Sequence, residues 1–491
     1  MSVRTIATNG AMISIVGQFV RIATQAGSIV VLARILTPVD FGLLAMTYPI
    51  VLFATALQEA GLGMAVLQRK TISDSELSTV FWISAAFGSG LAILLVLVSG
   101  PVADFYGDPR IESLLMASSA LVVLGSLSSV PFAVLNRELR FVRMSIIDIV
   151  SLLAGFAVSV TAAIITQSYW ALWLLSFTSA LISFVMVWAL CSWRPKKTLS
   201  FKGVKDLVAF GSNLTVFNLF NHVVRHIDNV LIGKIWGAEQ LGFYDRAYKL
   251  MLLPVFLVNV PLKRVIVPLL VQARDEPDQY RKLYLGALQA SLLLTVPPVV
   301  VVAAEPGKII ELLLGHGWAQ SAPIFQWLSI VCILQLATTT LGWIFLTRNR
   351  ARDMMIAGVI SCILTCVFFV AGVKWGAQGV AIGYMAAEVL RTPFFVWWAL
   401  KGSPISMRQI VGCLAPFVVS IAIGFVAVRL ISDQGSIAGV LFATAGVAAS
   451  YLITIGVLSL TSTGRLLLRR LLKSLSDMAG ARTLAGSSGT A

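Results

Sequence analysis

Charge is what this chain has least of. Charged residues are 12% of 491, against about a quarter in a water-soluble domain. That little charge cannot clothe a globular surface, so a soluble enzyme or binding domain is excluded. Histidine is nearly missing: His222, His226 and His316 are all there are. The five cysteines (Cys191, Cys332, Cys362, Cys366, Cys413) are scattered, and no cluster has metal-ligand spacing. No metal site and no cofactor is expected. No alternating strand pattern is present, which excludes a β-barrel and leaves helices as the spanning element. No RNA- or DNA-binding motif is present either.

What is there is apolar. Hydrophobic residues reach 58%, and they gather into fourteen stretches near the roughly 20 residues that cross a bilayer. The stretches are 11–33, 41–66, 77–103, 113–135, 146–165, 168–190, 209–233, 247–271, 284–304, 323–346, 354–373, 377–399, 409–429 and 437–460. The reading is an all-α polytopic membrane protein with about 14 transmembrane helices.

Basic residues fix its orientation. Of the 37 Lys and Arg, 24 fall in gaps on the side of the N-terminus, and 8 in the opposite gaps and their flanks. Acidic residues divide nine and nine, so only the basic ones are biased, as the positive-inside rule expects. Both termini are placed in the cytoplasm. The net charge of +15 sits in short loops, for example Arg194, Lys196, Lys197, Lys202 and Lys205. Anionic membrane lipids are the natural partner of such loops, and no nucleic acid is needed. No cysteine falls in an external loop, so no disulfide framework is expected. The first apolar run reads as a signal anchor, and the small polar residues after Arg470 as a disordered tail.

An internal repeat organises the helices. Residues 31–43 (VLARILTPVDFGL) align with 231–243 (LIGKIWGAEQLGF) at an offset of 200, matching Arg34 to Lys234, Ile35 to Ile235 and Gly42 to Gly242. Six spans separate the copies, so the repeat is parallel. The division is an N-lobe at 1–190, a basic linker at 191–208, a C-lobe at 209–400, an added helix pair at 401–460 and a tail at 461–491.

Three stretches resemble a known family: LARILTPVDFGLLAM (32–46), VADFYGDPRIESLL (102–115) and VPFAVLNRELRFVRMSIID (130–148). They are similar to the Wzx-type flippases. These are polysaccharide transporters of the multidrug/oligosaccharidyl-lipid/polysaccharide superfamily, and the match is nearest the colanic-acid and succinoglycan exporters. The resemblance covers about residues 5–460. It implies a V-shaped, MATE-like protein of two parallel six-helix lobes plus two C-terminal helices, in the bacterial inner membrane. Such a protein moves an undecaprenyl-diphosphate-linked oligosaccharide, and a polysaccharide polymerase and co-polymerase are its implied partners.

Polar residues inside the spans carry the chemistry. Ser14, Gln18, Arg21, Gln25 and Ser28 recur at steps of 3 and 4, on one helix face. Asn218, Asn221, His222, Arg225 and Asn229 do the same in the seventh span, with Asp228 and His226 at the edge. An arginine at mid-membrane costs roughly 2.5–3.5 kcal/mol even on the lenient insertion scale, so it faces water or a partner. Guanidinium suits a diphosphate, and Asn and Gln suit sugar hydroxyls. The candidate substrate residues are Gln18, Arg21, Gln25, Asn218, Asn221, His222, Arg225, Lys263 and Arg264. Lys263 and Arg264 serve equally as snorkelling residues. The coupling or ion-pair candidates are Glu59, Asp148, Asp228, Glu388 and Arg391. A remote bridge from Arg21 to Glu59 or Asp148 is weighed against a proton- or sodium-coupled step. Glu388 and Arg391, three apart, read as an intrahelical pair, and Arg225 with Asp228 as another. Pro254, Pro261, Pro268, Pro297 and Pro298 are expected to bend their helices.

Two other classes stay in view. A drug or organic-cation antiporter of the same superfamily commonly has a carboxylate in its first helix, and none is here. A membrane glycosyltransferase or polymerase usually needs a sizeable external loop, and the longest runs only from Glu305 to Pro323.

Overall fold

The computed structural model describes residues 17, 20–59, 72–197, 226–433 and 439–460. Every long regular element among them is an α-helix. They are α1 (Val20–Ala33), α2 (Pro38–Glu59), α3 (Asp74–Tyr106), α4 (Arg110–Arg137), α5 (Phe141–Thr166), α6 (Trp170–Leu190) and α7 (Ile227–Gln272). Then come α8 (Pro277–Ala304), α9 (Pro306–Leu314), α10 (Ser321–Thr347), α11 (Ala351–Gly372), α12 (Gly376–Leu400), α13 (Met407–Asp433) and α14 (Gly439–Leu460). Among the described residues, ten helical stretches are long and apolar enough to cross a membrane. The chain is a multi-pass membrane protein. The described parts of the apolar stretches fall in these helices; most of the seventh, 209–233, and parts of the first, second and last lie outside the described residues.

Local chemistry sets the helix ends. Ser73 caps α3, and Glu76 returns the bond to its backbone N–H, closing a capping box. Gly107, at φ 76°, ends α3 in the left-handed region and bonds back to Ala103. Asp108 then accepts from the backbone and side chain of Arg110, which holds its carboxyl below the usual carboxylate range. This is the turn in VADFYGDPRIESLL. In LTPVDFG, Pro38 opens α2, and Asp40 takes the Thr37 N–H and hydroxyl at 2.9 and 2.6 Å. The gap expected at 234–246 is instead helical apart from Gly237 (φ 79°, ψ −176°). Its residues from 238, AEQLGFYDR, carry four polar or charged side chains yet are helix-compatible, and hydropathy alone reads such a stretch as loop.

The chain forms two compact units. The first holds Met1–Arg246 with Leu314–Gly317. In it α3 packs on α4, α5 on α6, and α4 against α2 and α6. Small residues make the seams. Ile147, Ser151, Gly155, Ser159 and Ala163 repeat every four residues along the buried face of α5. Ser159 donates to the Ala171 carbonyl at 2.7 Å across that seam. Lipid is as apolar as a leucine core, so close backbone approach replaces the hydrophobic drive.

The second unit holds Ala247–Leu313 and Trp318–Ala491. Here α8 is central and contacts α10, α13 and α14, while α12 packs on α10 and α11. The prolines do not interrupt α7 or α8, which run helical through them. Pro298 has no N–H to give the Leu294 carbonyl one turn back. Tyr451 of α14 donates its hydroxyl to that carbonyl at 3.0 Å.

Candidate functional site

Arg21 and Gln25 are exposed on α1, while Ile22 and Thr24 between them are buried. Thr24 and Ser28 spend their hydroxyls on carbonyls of their own helix. Arg21 makes no ion pair within 4 Å among the described residues. The charge nearest in effect is Asp148 on α5, which Arg21 reaches electrostatically. Packing explains the pairing: a Cβ at Gly17 would sit 3.5 Å from Ile149 and 3.8 Å from Ser145, so the start of α1 lies on α5. One turn later Arg21 arrives at the level of Asp148. A guanidinium facing an acid without a tight bridge keeps donors free for another anion.

The start of α7, in the same unit, is a buried polar cluster. Asp228 is 4% exposed and accepts from the Tyr244 hydroxyl at 2.9 Å and the Asn229 N–H at 2.8 Å. Asp245 and Arg246 are 5% and 6% exposed and paired at 2.5 Å. Arg246 lies 4.2 Å over the Phe41 ring. His226 meets Tyr48 edge-on at 6.2 Å.

The two copies of the sequence repeat touch each other here. A Cβ at Gly42 would run into the carbonyl of Ala238, and one at Gly242 into the carbonyl of Pro38. Residue 42 faces 238 as 242 faces 38, so the contact is reciprocal. The Lys234 ammonium donates to the Phe105 carbonyl and lies 4.8 Å over that ring. Sequence reasoning found the repeat but neither this crossing nor the Asp245–Arg246 pair. The matched glycines were the available signal.

In the second unit, Glu388 is fully buried and Arg391 grips it with two bonds of 2.5 and 2.9 Å. Gln335 of α10 lies beside Glu388 and donates to the Tyr384 hydroxyl. Tyr384 in turn neighbours Tyr248 at 6.2 Å. This is a closed polar network rather than a free cation. Lys263 and Arg264 are exposed on α7. Asn229 is buried at 8%, so its side chain does not line an open surface. Gln18, Asn218, Asn221, His222, Arg225 and the Glu59 side chain lie outside the described residues.

Helices with apolar flanks, small-residue seams and a few interior arginines and acids define a helical membrane transporter fold. Residues 31–323 match the family described as "Polysaccharide biosynthesis protein", and the chain belongs to that family. It is 25% identical over 444 residues to the lipopolysaccharide biosynthesis protein WzxC of Escherichia coli (strain K12), covering 87% of this chain and 89% of the relative. It is 25% identical over 302 residues to the succinoglycan biosynthesis transport protein ExoT of Rhizobium meliloti (strain 1021), covering 61% of each. Among solved structures, the lipid II flippase MurJ in an inward closed conformation matches with TM-score 0.77 at 14% identity, over 92% of this chain and 98% of that one. A multidrug resistance MATE transporter, inward-facing, matches with TM-score 0.59 at 12% identity, over 78% and 94%. At such identities these structures speak to the fold. The family read from residues 32–46, 102–115 and 130–148 is therefore the chain's own.

Proposed function

We propose that this protein is a flippase that carries an undecaprenyl-diphosphate-linked oligosaccharide from the cytoplasmic to the outer leaflet of the bacterial inner membrane, by alternating access. Both termini are then cytoplasmic, as the basic loops require. The repeats act as two parallel six-helix lobes joined by the linker 191–208, with 401–460 appended. The names of its relatives support the class: a lipopolysaccharide biosynthesis protein, a succinoglycan biosynthesis transport protein and, by fold, a lipid II flippase.

One observation carries the reading most directly. Arg21 stands exposed on the apolar helix α1 with no ion pair within 4 Å among the described residues, and Gln25 follows one turn on. Guanidinium holds a phosphate through two parallel hydrogen bonds, and the amide takes sugar hydroxyls. An incoming diphosphate competes with Asp148 for this guanidinium, so binding is reversible. Arg225 is the proposed counterpart from the second repeat. Any coupling to H+ or Na+ would fall to the membrane carboxylates, Asp148 and Asp228 first.

The test is genetic and quantitative. Deleting the gene should abolish a surface or secreted polysaccharide in a strain without a redundant flippase. Arg21→Lys should restore part of the export and Arg21→Ala almost none, at equal membrane abundance. Wild-type export by both Arg21→Ala and Arg225→Ala would move the diphosphate site elsewhere.

A further inference from the structure

We propose that the crossing of the two repeat copies is the closed outer gate of this transporter, and that positions 42 and 242 are glycine because any side chain there would hold the gate ajar. The assignment to the outer side rests on the topology proposed above. The crossing itself does not.

The geometry is specific. At Gly42 an added Cβ would lie 2.9 Å from Ala238 Cα, and at Gly242 one would lie 3.1 Å from Pro38 Cα, both closer than carbon atoms pack. Backbone therefore meets backbone twice, each time through a glycine. Gly233 extends the seam: a Cβ there would lie 3.0 Å from Tyr106 and 3.1 Å from Met46. The glycine contacts join 38–46 and 106 to 233–242, and Tyr48 meets His226 just beyond them.

The chemistry is that of a seam that can part. No apolar knob is locked into a hole at the two glycines; carbonyl oxygens sit against bare Cα atoms. The flanking ties include the cationic contacts of Lys234 with the Phe105 carbonyl and ring and of Arg246 with the Phe41 ring, and the edge-on contact of Tyr48 with His226. Each copy also follows a break in its helix. The turn at 34–37 precedes α2, and Gly237, at φ 79°, interrupts α7. Those breaks let each arm swing without unwinding.

A disulfide tests it. In full-length protein with the five native cysteines replaced, Met46→Cys and Gly233→Cys are combined. The sulfur at 46 takes the place of Met46 Cγ, 3.1 Å from the new Cβ at 233, within reach of a bridge. Oxidation in membranes should close the bridge and abolish polysaccharide export, and a reductant should restore it. A bridge that never forms at normal abundance, or one that forms while export continues at the wild-type rate in a strain whose export depends on this gene, overturns the proposal. Should the pair fail to accumulate, a single Met46→Cys serves. Met46 is 1% exposed, so its replacement thiol should resist a membrane-impermeant maleimide added outside. Adding Gly42→Ala or Gly242→Ala should expose it and lower export. Unchanged labelling in both backgrounds refutes the gate, and labelling only from the cytoplasmic side refutes its placement. Neither readout needs the substrate. Bridge formation and labelling that behave as expected, in a strain whose polysaccharide is unaffected by gene deletion, would retire the flippase reading and leave the gate.

Discussion

Leu139 and Asn349 hold the same left-handed turn, 210 residues apart, with φ of 56° and 57°. The bonds around them repeat as well. Arg140 N–H reaches the Leu135 carbonyl at 3.0 Å, and Arg350 N–H the Phe345 carbonyl at 2.8 Å. In each half an arginine near the turn then ties down the end of a later helix. Arg143 donates to the Leu190 carbonyl at 2.7 Å, and Arg350 to the Ala399 carbonyl at 3.2 Å.

The turn makes a stability prediction. Leucine in the left-handed region costs about 1–2 kcal/mol, and asparagine tolerates it better. Leu139 is also 62% exposed, so little packing is lost on replacing it. Leu139→Asn should raise the unfolding midpoint in detergent by the equivalent of ~1 kcal/mol, and Asn349→Val should lower it. Calorimetry or a fluorescence melt would decide.

Tyr451 and Pro298 should be coupled. With the Tyr451 hydroxyl gone, the Leu294 carbonyl has no partner in lipid, where no water replaces it. Tyr451→Phe should cost about 1–2 kcal/mol. In a Pro298→Ala background the helix supplies its own N–H to that carbonyl, so the same change should cost close to nothing. Equal costs in both backgrounds would show that the hydroxyl merely packs there.

Glu388 and Arg391 should behave as a structural pair. Removing one partner of a buried ion pair costs about 3–5 kcal/mol, whereas replacing both by apolar groups is far milder. Glu388→Ala should cut membrane abundance sharply, and the double change Glu388→Leu with Arg391→Met should recover much of it. Quantitative blotting of membrane fractions reads this. A double variant that is abundant yet inert in export would give the pair a role in transport.

Orientation has a direct check. Cysteines placed at 108, 240 and 316 should react with an impermeant external maleimide, and those at 200 and 350 should not. Background from Cys191 should be small. It is 2% exposed, and burial pushes its thiol above the usual range, so little thiolate exists at neutral pH. Its reactivity should grow only under distinctly alkaline conditions.

The helices were largely legible because hydropathy and punctuation agree. Ser73 with Glu76, Gly107, and Thr37 with Pro38 mark ends that an apolar count places within a few residues. Where the two signals part, the reading slipped. Residues 238–246 mix Glu239, Gln240, Asp245 and Arg246 with buried Leu241, Phe243 and Tyr244, and they are helical where they pack on α2 through Gly42 and Gly242. The polar residues of α1 that are described, Arg21 and Gln25, are exposed, but no sequence pattern names their partner. Packing of Gly17 on Ser145 and Ile149 brings Asp148 within electrostatic reach of Arg21. At Pro298 a hydroxyl from α14, more than 150 residues away, satisfies the carbonyl that the proline abandons, and no local pattern encodes that.

The reciprocal contact of 42 with 238 and of 242 with 38 has the form of an isologous interface, the kind two identical subunits make about a two-fold axis. In one fused chain the two halves of that interface are encoded separately. A substitution in one copy therefore spoils one contact and leaves its twin intact, which no true homodimer permits. Gly42 and Gly242 can be altered one at a time, so the seam can be weakened in two graded steps. The chain can also drift asymmetrically around a symmetric frame. Lys234 now stands where the first copy keeps Arg34, and Ala238 where it keeps Pro38.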